Sequence, residues 1–500
     1  MKILTVEQIR ALDTYTIDHE PIAPIDLMER ASLAFCDWFE AKFDKPTRIK
    51  VLCGMGNNGG DGLAIARILI GRGYQVEVWV VRHLERQKDD FTHNFKRLQL
   101  HTQIRFIERE TQIPKIAVTD TVIDAMLGSG ISRPMGGITK AVAERLNMSK
   151  ATIVSVDIAS GLFADHANAP DDSIVQPTYT VSFQLPKFAF FQPQLADYVG
   201  EWHLVPIGLD KRFIERASTF HFYTTSADIE DITPKRPKYA HKGSFGRALL
   251  VVGSYGMIGA AVLAAKACLR SGVGLLEAHI PRCGYEIMQS CVPEALCSTA
   301  FDRDFISTRF FAENLQNYSA IGIGPGLGQS DKTREMIESL LKAAGSIPLV
   351  LDADALNNLS TKKGRELLQL LPANTILTPH PKEFERLIGK KWQNDYEKLN
   401  LLKDFCSKHH VIVVLKGAHT VVCTPNRELY FNSTGNPGMA TGGSGDVLTG
   451  IITALLAQGY SPKEAAIFGV YQHGLAGDRV AVKRGQAALI ASDLIEELRW

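Results

Sequence analysis

An excess of charge of either sign is the first thing the sequence lacks: 55 Lys+Arg against 54 Asp+Glu leave a formal net charge of +1 over 500 residues. That balance gives no bulk attraction for nucleic acid or an anionic membrane, so an anionic ligand has to be held by local geometry. Cysteine is scarce as well. The eight cysteines form no Cys-x-x-Cys pair, and Cys283, Cys291 and Cys297 are spaced like no common metal site, so reduced, buried thiols of a cytoplasmic protein are expected. Long apolar runs are missing too. The longest uncharged helical stretch, Val447 to Pro462, carries Thr, Gln and Gly and falls short of the ~18 apolar residues of a membrane span. Charges return at Glu7 and Arg10 before a secretory apolar region could form. No internal repeat or low-complexity tract is found.

What is present is an ordinary globular composition, 45% hydrophobic and 22% charged, on a chain too long for one core. Up to about Ile207, β-rich runs alternate with helical patterns: Arg48 to Cys53, Val76 to Val81, Thr121 to Met126, Ala151 to Ile158 and Tyr179 to Phe183. Strands separated by helices predict a Rossmann-like, doubly wound parallel sheet. Between Lys211 and Lys242 the pattern breaks into a charged, proline-containing stretch with little β or helical periodicity, read as a domain junction. A second alternation follows, with strands expected at Arg247 to Gly253, Leu275 to Ile280, Ala320 to Ile323, Leu349 to Asp352, Thr375 to Thr378 and Val411 to Leu415. Two α/β domains are therefore expected, at 1–215 and 225–500.

The first glycine-rich turn, in VLCGMGNNGGDGLAIA, contains Gly54-x-Gly56-x-x-Gly59 and formally matches a dinucleotide fingerprint, with Glu77 about 20 residues beyond. Asn57, Asn58 and Asp61 depart from that reading, because an acid beside a pyrophosphate repels it. Two more strands end in carboxylates before glycine turns, Asp124 in DAMLGSGISRP and Asp157 in VDIASGL. A strand-end Asp alone is as well explained as a helix cap. Three such loops at the carboxyl ends of one parallel sheet point instead to a shared site.

GNNGGDG, DAMLGSGISRP, VDIASGL and FQLPKFA together resemble the epimerase domain of the NAD(P)H-hydrate repair enzymes. The resemblance implies that Asn57, Asn58, Gly59, Gly60 and Asp61, with Gly128, Ser129, Gly130, Ile131, Ser132, Arg133 and Pro134, hold the hydrated nucleotide, NADHX or NADPHX. It implies Asp157 as the acid/base group, and oxygens of Asn58, Asp124 and Ser160 as ligands of a potassium ion. Ala159 stands where the family has proline, which leaves the turn carrying Ser160 less rigid.

In the second half, GNPGMATGGSGDVLTG places several backbone N–H groups just before a helix N-terminus, the arrangement a phosphoryl group needs. Asp446 opens that helix, either as an N-cap or as a catalytic base. LKGAHTVV (415–422) reads as a strand ending in a Lys-Gly turn. Lys416 is either a phosphate ligand or a solvated charge, and His380, between prolines, either a ligand or a satisfied loop group.

With GPGLG, LDADALN and TPHP, these segments resemble the dehydratase domain of the same enzymes, within the ribokinase-like α/β fold. The resemblance implies that Ala260, Gly326, His380 and Asp446 contact the hydrated nicotinamide nucleotide. Lys416, Gly417, Ala418, His419, Thr420 and Gly445 would bind ADP or ATP, with Mg2+, and Asp446 would be the base. Self-association, a cytoplasmic location, and no nucleic-acid or membrane partner complete the expectation. A small-molecule kinase is the alternative that GGSGD alone fits equally, and a non-catalytic binding module is the alternative for the first half.

Overall fold

The computed structural model describes residues 1–84, 87–230, 232 and 236–500. They divide into two compact units, one of Lys2–Thr219 with Asn394–Tyr396, the other of Phe220–Gln393 with Glu397–Trp500 and Met1. Of the stretch read as a junction, Asp231 and residues 233–235 lie outside the described residues. The rest of it is not irregular, since a helix (Lys211–Arg216) and a strand (His221–Thr224) form there.

The first unit is built on β1 (Arg48–Cys53), β2 (Gln75–Val81), β3 (Ile104–Ile107), β4 (Asp120–Ala125), β5 (Thr152–Val156), β6 (Tyr179–Phe183) and β7 (Glu201–Val205). All pairings are parallel, in the order β3-β2-β1-β4-β5-β6-β7. Alternate residues of β1 serve opposite layers: Ile49, Val51 and Cys53 pack with Phe35, Phe39 and Leu63, whereas Leu52 packs with Val142 and Leu146. Burial on both faces is why the inner strands read as continuous apolar runs. The strands that the sequence reading passed over, β3 and β7, are the two sheet edges, where charged residues such as Arg105 and Glu201 break the run.

The second unit carries β8 (His221–Thr224), β9 (Arg247–Val251), β10 (Leu275–Ile280), β11 (Leu296–Thr299), β12 (Ala320–Ile323), β13 (Leu349–Leu351), β14 (Ile376–Leu377), β15 (Ile412–Leu415), β16 (Val421–Cys423) and β17 (Leu429–Asn432). Their order is β11-β10-β9-β12-β13-β14-β15-β16-β17-β8. The seven from β11 to β15 run parallel, and β16 is antiparallel to both neighbours. Residues 416–420 are therefore the turn of a hairpin, with Leu415 closing β15 and Val421 and Val422 opening the antiparallel β16, rather than the end of one strand.

The helix Ser444–Ala457 is buried almost all round. It lies so close to the helix Ile258–Arg270 that a Cβ on Gly450 would come within 2.2 Å of the Ala264 carbonyl oxygen. The uncharged stretch from Val447 is thus a core helix, and among the described residues no helix is long and apolar enough to cross a membrane. In each sheet the strand order reverses once beside the glycine loops, between β1 and β4 and between β9 and β12. Loops leaving the strands on either side of such a point diverge and open a crevice at the carboxyl ends.

Candidate active sites

In the first unit, β1 runs into the fingerprint turn and then the helix Asn57–Gly71. A Cβ on Gly54 would meet the Met126 carbonyl oxygen at 1.8 Å, and one on Gly59 the Gly54 oxygen at 1.9 Å, so close backbone approach dictates both glycines. No side chain caps this helix. The N–H groups of Asn57, Asn58 and Gly59 have no acceptor among the described residues, as at any uncapped helix N-terminus. Glu77 does not complete a dinucleotide site. It lies within β2 and accepts a hydrogen bond from Arg105 at 2.8 Å on an exposed face, away from the strand's carboxyl end.

Asp124, at the end of β4, is fully buried and accepts four hydrogen bonds: from Ser160 Oγ (2.6 Å), Ser160 N (2.9 Å), Ser155 Oγ (2.9 Å) and Met126 N (3.3 Å). Burial still holds its carboxyl above the usual range, outweighing those donors. Ser160 Oγ in turn accepts from Leu127 N at 2.9 Å, and Gly128 lies against Asn58, whose buried Nδ2 has no partner among the described residues. Asn58, Asp124 and Ser160 are thus brought into one cluster. The two bonds to Asp124 pin Ser160, supplying the rigidity that Ala159 in place of proline does not.

Asp157 follows β5 with φ +66°, a left-handed turn that is strained for a residue with a Cβ. Its Oδ1 accepts from Lys187 Nζ at 2.7 Å, Ser182 Oγ at 3.2 Å and Phe183 N at 3.2 Å. Among the described residues Oδ2 has no hydrogen-bond donor. Lys187 is buried, within FQLPKFA, and Ser182 and Leu185 O complete its shell. Asp13, on the helix Val6–His19, belongs to the same cluster: burial first and the Asp157 charge second push its carboxyl up to about 6, against the pull of Lys187. Asp61 is raised well above the carboxylate range by burial and by Asp157 and Asp13. Sequence reasoning gave Lys187 no role and passed over Asp13, because a lone acid on a polar helix face carries no motif. The loop from Gly128 to Pro134 is mostly exposed, with Arg10 NH2 donating to Gly130 O at 3.3 Å.

In the second unit, Gly443 takes φ +91° as N-cap of the helix Ser444–Ala457, and no side chain caps it. Asp446 is therefore not the N-cap. Its carboxyl is pushed up to about 7, by burial and then by Asp352, with Lys416 opposing. The N–H groups of Gly442, Gly443, Gly445 and Asp446 have no acceptor among the described residues. Lys416 is not a solvated charge: Nζ donates to Asp352 Oδ1 at 2.9 Å and lies 3.9 Å from Glu383. Burial disfavours its charge, but Asp352 and Glu383 outweigh that and raise its pKa. Asp352 is buried and also accepts from Thr449 Oγ1 at 2.8 Å, which joins the end of β13 to the helix Ser444–Ala457.

Gly445 lies beside this pair, a Cβ on it falling 3.3 Å from Lys416 Nζ. Gly326 (φ +65°) packs on Ala260, 3.3 Å between Cβ positions, in the crevice beside β9 and β12. Gly417 and Ala418 are exposed in the hairpin turn, Thr420 Oγ1 donates to Gly417 O at 3.0 Å, and His419 Nδ1 sits 3.0 Å from Asn432 O. His380 is committed on one side, since its Nδ1 accepts from Lys382 N and Glu383 N to cap the helix Pro381–Ile388. Only Nε2 remains, 3.6 Å from Glu383.

The helix Pro462–Arg484 clamps the glycine loop, a role no motif reading supplied. Asp478 accepts from Gly435 N at 2.9 Å and Asn436 Nδ2 at 3.0 Å, and buried His473 Nε2 lies 3.3 Å from Ser444 Oγ. The pattern H-G-x-A-G-D was the available signal: Gly474 and Gly477 leave room for Thr434 and Met439, which a Cβ would strike.

Comparison with known sequences places both halves. The model of the family described as NAD(P)H-hydrate dehydratase matches residues 248–499, and that of the YjeF-related protein N-terminus matches residues 24–189. A bifunctional NAD(P)H-hydrate repair enzyme of Moorella thermoacetica is 36% identical, over 100% of this chain and 96% of its own length. The chain belongs to the bifunctional NAD(P)H-hydrate repair enzymes. Its relative in Escherichia coli K12 is 30% identical over 95% of this chain and 88% of its own. A ribokinase-like superfamily protein of Enterococcus faecalis V583 is similar in structure (27% identical, TM-score 0.50), covering 56% of this chain and 95% of that one. An ADP/ATP-dependent NAD(P)H-hydrate dehydratase of Bacillus subtilis, co-crystallised with ATP/Mg2+, is 31% identical over 55% of this chain and 96% of that one (TM-score 0.48). The first unit of the repair enzyme is its epimerase half and the second, ribokinase-like unit its dehydratase half.

Proposed function

We propose that the dehydratase half transfers the terminal phosphoryl group of ADP or ATP to the hydroxyl of S-NADHX or S-NADPHX and then expels phosphate to restore the dihydronicotinamide. The observation that carries this reading is Asp446: free of any capping role, half-buried and raised to about 7, it stands on the first turn behind the GGSG amides. A base poised near neutrality accepts the substrate hydroxyl proton as the oxygen attacks phosphorus. The unpaired N–H groups of Gly442, Gly443 and Gly445 take the developing charge of the phosphoryl oxygens, and the Lys416 to Thr420 turn with Gly445 holds the rest of the donor. Ala260, Gly326 and the free Nε2 side of His380 face the hydrated nucleotide. Phosphate leaves where hydroxide does not, driven by the ring nitrogen lone pair, and loss of a proton from the neighbouring ring carbon to solvent converts the resulting iminium to the dihydronicotinamide.

Mg2+ bound with the donor would neutralise phosphate charge. The residues fit that arrangement rather than a resident cage: no group of three or more His, Cys, Asp or Glu is placed to hold a metal among the described residues, and Mg2+ in such sites is held through phosphates and water.

In the epimerase half, Asp157 takes the hydroxyl proton through its unpartnered Oδ2 while Lys187 balances its charge. The ring C–N bond opens to the aldehyde and closes on the other face, with Asp13 the neighbouring group that returns a proton to nitrogen. The amides of Asn57, Asn58 and Gly59, with Gly60, Asp61 and the Gly128 to Pro134 loop around them, hold the pyrophosphate and the rest of the nucleotide. K+ fits the oxygens of Asn58, Asp124 and Ser160, a hard donor set around a buried carboxylate with no cation partner among the described residues; when bound it would supply that charge. The enzyme acts as a self-associated cytoplasmic protein in this reading.

The test is one assay of purified protein on the mixed hydrates, with ADP and ATP in parallel, following recovery of the reduced-nicotinamide absorbance and released phosphate. Both epimers should be consumed. A stable phosphorylated product without free phosphate would mean a kinase instead.

A further inference from the structure

The dehydratase half contains a second cavity, of about 460 Å3, outside the residues assigned above. Four of its lining side chains are cations, Arg365, Arg386, Lys390 and Lys391, against one carboxylate, Glu385. Lys390 Nζ lies 4.0 Å from Glu397, so three of the four, Arg365, Arg386 and Lys391, are without a carboxylate partner among the described residues, in a chain whose net charge is only +1. The two guanidinium groups are held by neutral acceptors: Arg365 NH2 donates to Arg386 O at 3.0 Å, and Arg386 NH2 donates to Asn357 Oδ1 at 2.9 Å. Among the described residues neither arginine has a carboxylate partner, so their charge is left for a ligand, and the pocket is lined by fixed donors of the kind that recognise phosphate. The volume falls in the range of small-molecule sites and exceeds what an inorganic ion needs.

The cavity is also joined to the active site. Gln329 and Asn357 line it, and both donate to Asp354 Oδ1, at 3.1 and 3.2 Å, while Asp354 Oδ2 accepts from Gly328 N at 2.8 Å in the loop that carries Gly326. Arg386 stands on the helix that His380 caps, six residues on, or ~9 Å at the α-helical rise.

We propose that this cavity receives the adenosine end of the hydrated dinucleotide and that its arginines and lysines bind the 2′-phosphate, so that the dehydratase half prefers NADPHX to NADHX. The proposal rests on the dehydratase reading above. Saturating ADP isolates this cavity from the donor site in a calorimetric titration of the full chain with adenosine 2′-monophosphate; binding is expected, and its loss in Lys390→Gln/Lys391→Gln. In steady-state assays the KM for S-NADPHX should lie below that for S-NADHX, and the double variant should raise it by about tenfold while leaving kcat and the NADHX KM unchanged. Equal KM values in the unaltered enzyme, or a variant that shifts both hydrates together, overturns the assignment. Failure of the dehydratase reading looks different, because then neither hydrate is consumed at all.

Discussion

Replacing Asp446 by asparagine separates catalysis from stability in a way that only a buried, proton-carrying base allows. In the folded chain this carboxyl is raised from 3.8 to about 7, chiefly by burial and then by Asp352. An acid with a raised pKa binds its proton more tightly folded than unfolded, so between pH 4 and pH 7 stability falls as pH rises, and above pH 7 the full penalty is present. Three pKa units correspond to at most ~4 kcal/mol, and allowing for solvent screening of a group that is not fully buried leaves about 2 kcal/mol. The asparagine side chain keeps the shape and removes the charge. The Asp446→Asn variant should therefore melt about 4–8 °C above the unaltered protein at pH 8, with the gap closing towards pH 4, where the carboxyl is protonated in both states. Dehydratase activity should fall by ~100-fold or more. Differential scanning calorimetry of the second transition across pH 4–8, alongside phosphate release, reads both quantities. A variant no more stable at pH 8, or a gap independent of pH, refutes the idea that Asp446 is a charge held at a cost for catalysis.

The other expectations are briefer. In the unaltered enzyme, dehydratase kcat/KM should rise with pH and level off above about 7, as a base with that pKa requires; a flat profile from pH 5 to 8 argues against Asp446 as base. Asp157→Ala should abolish interconversion of the R and S hydrates, followed by chromatography, yet leave dehydration of S-NADHX intact. Lys187→Met leaves Asp157 buried without its cation, so the epimerase half should lose about 3–5 kcal/mol by denaturant titration together with its activity; unchanged unfolding would contradict the buried pairing. Asp478→Ala frees Gly435 N and Asn436 and should raise the donor KM several-fold with a smaller effect on the hydrate KM.

The sequence by itself determined the two α/β halves and most of their inner strands, because strands covered on both faces must be apolar throughout and the glycine loops between them carry their own chemistry. It also singled out Asp124, Asp157 and Lys416, each beside a glycine turn at a strand end, and Asp446, behind the glycine run that opens a helix. Glu77 has the spacing of a ribose ligand only formally, a reading that Asn57, Asn58 and Asp61 already spoke against, and its side chain sits mid-strand on an exposed face. The edge strands β3 and β7 escaped the sequence reading, since charged residues interrupt them; so did the short β11, β16 and β17, and β8, which lies in the stretch taken as a junction yet pairs with β17 near the far end of the chain.

Tertiary structure alone decided the electrostatics. Asp13 has no motif, and only folding sets it against Asp157 and Lys187. Lys416 reads equally as a solvated charge or a ligand until Asp352 and Glu383 are placed around it. Whether Asp446 caps a helix or carries a proton depends on Gly443 taking the N-cap and on how much water the fold removes. Local pattern fixes which residues a loop contains; burial and through-space charge, which arise from segments distant in sequence, fix what those residues can do.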